Sequence, residues 1–173
     1  QYENIKQKDI GVATREAHRV DEFLKIRKDL IVSMSKRVSS FDKEVELEQI
    51  REISNLSKDT GGFSSVYIGY EDNGLMTRWS GKDSTPERDN FDARTRPWYK
   101  DAKATLKYGF TKPYIDNSTK QLAISIYSPI IDKSNALVGV VSSDLLLKDI
   151  VDNILNIDIG NDGIAYLIDE AGN

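Results

Sequence analysis

The sequence predicts an α+β fold, in which a long N-terminal helix packs on an antiparallel five-stranded sheet. Three observations carry this reading. Apolar residues recur at helical spacing through the first third of the chain, Asn73-Gly74 joins two strand-like runs, and three more strand-like runs follow with only short turns between them.

The helical region runs from residue 1 to about 58. Val20, Phe23, Leu24, Ile26, Leu30, Ile31, Met34, Val38 and Phe41 recur mostly every three or four residues, with Glu22, Lys25, Arg27 and Lys28 on the other face. Ser39-Ser40-Phe41-Asp42 interrupts the pattern, and Asp42 is expected to cap a second piece through Val45, Leu47, Ile50 and Ile53. Gly61-Gly62 ends it. Strands are expected over Phe63 to Tyr70 and Leu75 to Ser80, with the Asn-Gly turn between them. Residues 81–97 read as a polar loop, and Trp98 to Leu106 as a short helix with Pro97 in its first turn. Strands over Phe110 to Ile115, Leu122 to Ile131 and Leu137 to Asp144 follow, then a helix over about Leu147 to Ile157. Ile164 to Ile168 reads as the start of another strand.

Composition narrows the function. With 173 residues the chain has room for one domain, and 39% apolar content supports a core. A net charge of −4 argues against nucleic acid as a partner. No Cys is present, which excludes disulfides, zinc fingers, iron–sulfur clusters and thiol catalysis. A single histidine, His18, disfavours His-based metal sites and Ser-His-Asp catalysis. No phosphate-binding glycine loop occurs, so we expect neither an enzyme nor a cofactor nor a metal. No run of 18 apolar residues occurs, so no membrane-spanning helix is expected within these residues. The chain begins at Gln1 rather than Met, which leads us to expect a segment of a longer protein.

The densest cluster of chemistry is Asp92-Ala93-Arg94-Thr95-Arg96-Pro97-Trp98-Tyr99. Pro97 restricts both of its neighbours, and a guanidinium fixed beside an indole suits a carboxylate ligand. The same residues also fit a structural role, with Trp98 and Tyr99 anchoring the short helix and Arg96 in a surface ion pair. Asp116 and Asp144 lie near the ends of apolar strands, where a charge needs a partner such as an ammonium group. Tyr99, Tyr114 and Trp98 could face the same cation. Taken singly, Asp116 also fits a hairpin-turn residue, and Asp144 an N-cap for the helix after it.

Arg96-Pro97-Trp98-Tyr99, Tyr114-Ile115-Asp116 and Gly139-Val140-Val141-Ser142-Ser143-Asp144 together resemble the extracytoplasmic double Cache sensor domains of bacterial chemotaxis receptors, in particular the amino-acid-binding type. The resemblance implies a PAS-like five-stranded Cache module. It implies a stalk helix over 1–58, a membrane-distal module over 59–160, and the start of a truncated membrane-proximal module over 161–173. Carried over residue by residue, it places Arg96 and Trp98 on the ligand carboxylate, Tyr99 along the pocket, and Tyr114, Asp116 and Asp144 on the ammonium. The family's amino-acid pattern has a Tyr five residues before the Arg, where this chain has Phe91. Tyr67, Arg78 and Trp79 are added as side-chain-pocket residues from their place in the hairpin.

The function implied is a periplasmic sensor in an inner-membrane methyl-accepting chemotaxis receptor. It would bind a small amino acid, dimerise in the intact receptor and reach the membrane through flanking helices. Closure of the 81–97 loop over the ligand would shift the long helix. The alternatives are the sensor of a histidine kinase or diguanylate cyclase taking another carboxylate or amine, or a non-binding dimerisation module in which Arg96 and Asp144 pair with each other.

Overall fold

The computed structural model describes residues 2–116 and 118–154. The helical third of the chain is two helices, α1 (Tyr2–Val38) and α2 (Leu47–Gly61). Asp42 caps the turn before α2 rather than α2 itself. Its Oδ1 accepts the N–H groups of Glu44 (2.8 Å) and Val45 (3.4 Å), and its own N–H donates to Glu46 Oε2 at 2.8 Å. That reciprocal pair satisfies the local backbone and lets the helix restart five residues later than Asp42.

Six antiparallel strands follow: β1 (Ser65–Tyr70), β2 (Met76–Arg78), β3 (Gly109–Phe110), β4 (Tyr114–Ile115), β5 (Leu122–Ile131) and β6 (Leu137–Leu146). Between β2 and β3 come α3 (Pro86–Asp89), a 3-10 turn (Ala93–Thr95) and α4 (Pro97–Thr105). Helix α5 (Leu147–Ile154) follows β6. The sheet order is β2-β1-β6-β5-β3, with β4 on the same edge of β5 as β3. The expected strand over 110–115 is thus split. Pro113 has no N–H for the ladder, and the pairing with β5 slips by one residue between Phe110↔Ile126 and Tyr114↔Ala123. The stretch 155–173, with the expected strand over 164–168 and the expected module start over 161–173, lies outside the described residues, as does Asn117.

Strand alternation divides the sheet into two faces. Val66, Ile68, Tyr70, Ile126, Ile130, Val141 and Leu145 form one core with Ile31, Met34 and Val38 of α1, Ile50 of α2 and Ile150 of α5. Tyr67, Met76, Tyr127 and Val140 form a second core with Ala93 and with Trp98, Tyr99 and Ala102 of α4. The first core carries the helices that run along the back of the sheet. The second sets α4 and the preceding loop over the front face, where the candidate residues gather.

Two glycines make that front face possible. A Cβ on Gly69 would lie 2.8 Å from Ala93 Cβ, 2.8 Å from Trp98 Cη2 and 3.0 Å from Tyr99 Cδ2. Only a bare backbone there lets α4 settle onto β1. Gly74, at φ +70°, closes the β1–β2 turn and lies against the Asp92 carboxyl. Its carbonyl accepts the Ala93 N–H at 3.0 Å, so the Asn-Gly turn also docks the loop that carries Arg96.

Candidate functional site

Asp144 is the centre of the front face. It sits within β6 rather than at the start of α5, and it is only 7% exposed. The helix-cap alternative is therefore overturned: the side chain follows the pleat to the front of the sheet, away from the helix start. Its Oδ1 accepts three hydroxyls, from Tyr67 (2.6 Å), Tyr114 (2.8 Å) and Ser125 (2.9 Å). Its Oδ2 accepts no hydrogen bond, and no cation pairs with the carboxyl, among the described residues.

Register explains the convergence. Ser125 is the cross-strand partner of Asp144, Tyr67 is the partner of Ser142, and Tyr114 is aimed inward by the bulge that separates β3 from β4. Burial pushes the Asp144 carboxyl above the usual carboxylate range, against the three hydroxyls that oppose it, and nearby Asp116 pushes the same way. Burial and the Asp144 charge push the Tyr67 and Tyr114 hydroxyls well up, so both remain donors. The arrangement fixes one oxygen of a desolvated carboxylate and leaves the other for a cationic donor.

Trp98 joins this centre to the loop. Its indole meets Tyr67 edge-on with centroids 5.1 Å apart and Tyr99 at 5.5 Å. Two residues earlier, Arg96 N-caps α4 in extended conformation, so Pro97 can begin the helix. The Arg96 guanidinium lies 5.5 Å from the centroid of the Phe91 ring and makes no hydrogen bond or ion pair among the described residues. The surface ion pair expected of it in a purely structural role is absent, and so is the Arg96–Asp144 pair of the non-binding alternative.

The remaining candidates divide. Tyr99 is fully buried, but its hydroxyl donates to Glu71 Oε2 at 2.9 Å, beside Lys103, which also bonds Glu71. Tyr99 thus holds α4 to the sheet and gives the site ring surface rather than a free hydroxyl. Asp116 accepts the N–H and the hydroxyl of Thr119 on Oδ2, both at 2.7 Å. Although burial pushes its carboxyl up, those bonds hold it below the usual range. It is a turn residue and also a second negative charge close to Asp144.

Arg78 is the cross-strand partner of Tyr67 and so shares the front face. Trp79 does not. One residue later on the pleat, it lies under Lys58 Nζ at 4.5 Å, in a groove with Glu48, Arg51 and Asn55 of α2. Alternation along so short a strand decides the matter, and the expected pocket role of Trp79 is corrected. Ser125 joins the clamp without having been expected there. Its signal is one of two serines among the apolar residues of Leu122 to Ile131, the one that stands opposite an acid in the next strand. Among the described residues no cluster of three or more His, Cys, Asp or Glu could hold a metal, and no helix is long and apolar enough to cross a membrane.

This architecture recurs in known proteins. The model of the methyl-accepting chemotaxis protein-like, first PDC sensor domain matches residues 33–152. Methyl-accepting chemotaxis protein McpG of Pseudomonas putida is 38% identical over 110 residues, 64% of this chain and 16% of that protein. PscA of Pseudomonas syringae is 26% identical over 98% of this chain and 26% of its own length. The chain therefore spans about a sixth to a quarter of these curated relatives. The ligand-binding domain of the Pseudomonas aeruginosa PAO1 amino-acid chemoreceptor PctC in complex with GABA superposes with a TM-score of 0.72 at 26% identity, over 86% of this chain and 66% of that one. That of Pseudomonas fluorescens CtaA in complex with L-serine gives 0.73 at 26% identity, over 88% and 63%.

Proposed function

Because the chain belongs to the family of the methyl-accepting chemotaxis protein-like, first PDC sensor domain, we propose that its front face binds a free amino acid and reports it to a chemotaxis receptor. Asp144 Oδ2 takes the α-ammonium, helped by the negative charge of Asp116 and the ring of Trp98. Arg96, with the Trp98 indole beside it, takes the α-carboxylate. The observation that carries this reading is the three-hydroxyl clamp on a single oxygen of Asp144, with the other oxygen unpaired. A buried carboxylate without a cation is unfavourable, and an ammonium relieves that cost. Charge-assisted hydrogen bonds contribute about 1.5–3 kcal/mol each. Three or four of them, less ordering costs, give micromolar affinity, about −8 kcal/mol.

Methyl-accepting chemotaxis relatives favour a chemotaxis output over the kinase or cyclase alternatives. The domain then lies outside the cytoplasm, is tethered by membrane helices elsewhere in the receptor, and works as a homodimer. Capture of a dissolved nutrient calls for no bond-making, cofactor or metal.

Calorimetry with a panel of L-amino acids tests the proposal. One or more should bind, and Arg96→Ala should weaken the tightest by about 100-fold or more, the loss of two charge-assisted bonds. If no amino acid at millimolar concentration binds or raises the melting temperature, the reading fails.

Acid provides a second test. An ammonium binds only the ionised carboxyl, and in the ligand-free domain Asp144 is already held above the usual range. Affinity should be flat above that raised value and then fall by up to about tenfold per pH unit. The fall should begin above the pH at which an ordinary aspartate titrates, with a proton released on binding. Calorimetry in buffers of different ionisation enthalpy measures the proton, and acid-independent affinity would remove Asp144 from the ammonium site.

A further inference from the structure

We infer that Arg78 reads the far end of the ligand, so that the site takes an amino acid whose side chain ends in a carboxylate. This rests on the amino-acid reading above and names the ligand class within it. The residues point the same way from several sides. Arg78 faces Tyr67 across the β1–β2 pair, so its side chain rises from the same face as the Asp144 clamp. Both guanidinium groups lie against Phe91, with Arg78 Cζ 6.0 Å and Arg96 Cζ 5.5 Å from its ring centroid. Two cations are thus gathered around one aromatic ring of the site.

The Arg78 guanidinium is also fixed in place. Its Nη1 donates to the Lys82 carbonyl and to Ser84 Oγ, the latter at 2.8 Å. Its Nε and Nη2 have no partner among the described residues, yet they are not among the polar atoms sealed in the interior without one. That free edge presents two parallel N–H groups, the pattern a carboxylate matches and a carboxamide matches only by half.

Nearby acid does not use this edge. Asp83 spends one oxygen on the Arg78 backbone N–H at 2.9 Å and the other on Arg51 at 2.6 Å. Burial pulls the guanidinium below its ordinary value, with Asp83, Tyr67, Asp89 and Asp144 pulling the other way. Asp89 is likewise committed to Arg88, so once Asp144 has taken the α-ammonium and Arg96 the α-carboxylate, the free edge of Arg78 has no carboxylate bonded to it among the described residues. A ligand bearing a second carboxylate supplies it.

Calorimetry on the chain with L-aspartate, L-glutamate, L-asparagine, L-glutamine and L-alanine reads this directly. At least one acidic amino acid should bind tenfold or more tighter than its own amide. Arg78→Gln should erase that ratio, lowering affinity for the acidic amino acid at least tenfold more than affinity for L-alanine. Arg78→Lys, which keeps the charge but not the fork, should retain part of the ratio. Equal affinities for acid and amide in the unsubstituted chain overturn the inference, as does a ratio that survives Arg78→Gln; in both cases L-alanine binding leaves the amino-acid reading standing. Binding of none of the five overturns the inference, and the wider panel of L-amino acids then decides whether the amino-acid reading stands.

Discussion

Asp144→Asn is expected to abolish amino-acid binding and at the same time to raise the melting temperature of the ligand-free domain. The two effects have one cause. Burial holds the Asp144 carboxyl above its usual range. A group whose folded value is raised contributes its full stability below the unfolded value and loses it as pH rises through the folded one. Wherever the pH lies above that raised value, the ligand-free domain carries an ionised, buried carboxylate with no cation beside it among the described residues. Asparagine keeps an acceptor for Tyr67, Tyr114 and Ser125 and removes that charge. It also puts an amide donor where an ammonium should sit. Affinity should fall at least about 100-fold, or ~3 kcal/mol. Melting temperature should rise by about 2–4 °C for each ~1 kcal/mol gained. Calorimetry and thermal melts at pH 7 measure both. A variant that binds normally, or that melts well below the parent, contradicts the clamp.

Gly69→Ala should cost both stability and binding. The added methyl meets Trp98 and Ala93 at 2.8 Å, closer than carbon atoms pack, and Tyr99 at 3.0 Å. Alanine is intrinsically better than glycine in a strand by about 0.5–1 kcal/mol. Overpacking a dense site costs about 1–3 kcal/mol, so the clash decides the sign. Melting temperature should drop by roughly 2–8 °C. Trp98 must move off Tyr67, so affinity should fall about tenfold or more. Gly11→Ala, where nothing lies within 4 Å of the new methyl, is the control and should leave binding unchanged. A Gly69→Ala variant with parental affinity would show that Trp98 has no part in recognition.

Much of this fold was readable in the sequence because its local signals agree with one another. Helical spacing around Ile31, Met34 and Val38, the Asn73-Gly74 turn, and Pro97 opening α4 each had a single consistent meaning. So did the two ten-residue strands β5 and β6. The site was readable as a set of residue types, but its wiring was not. Whether a side chain on a strand faces front or back depends on register, which is why Arg78 shares the face of Tyr67 while Trp79, one residue later, lies against Lys58. The slip at Pro113 that aims Tyr114 at Asp144 comes from pairing with a distant strand. Ser125 gains its meaning only opposite Asp144, 19 residues on. The Tyr99 hydroxyl goes to Glu71, 28 residues back, which no spacing rule anticipates.

One contact on the back of the sheet has mechanical weight. Ser35 Oγ and Ser128 Oγ meet at 2.8 Å, a buried polar rivet between α1 and β5. Ser125, in the clamp, is three residues along the same strand. The distance from clamp to rivet is thus about one strand segment, ~10 Å. Helix α1 has 37 residues, about 55 Å at 1.5 Å per residue. About that contact, near the C-terminal end of α1, a tilt of about one degree would carry the opposite tip by about 1 Å, a displacement on the scale of a side-chain contact.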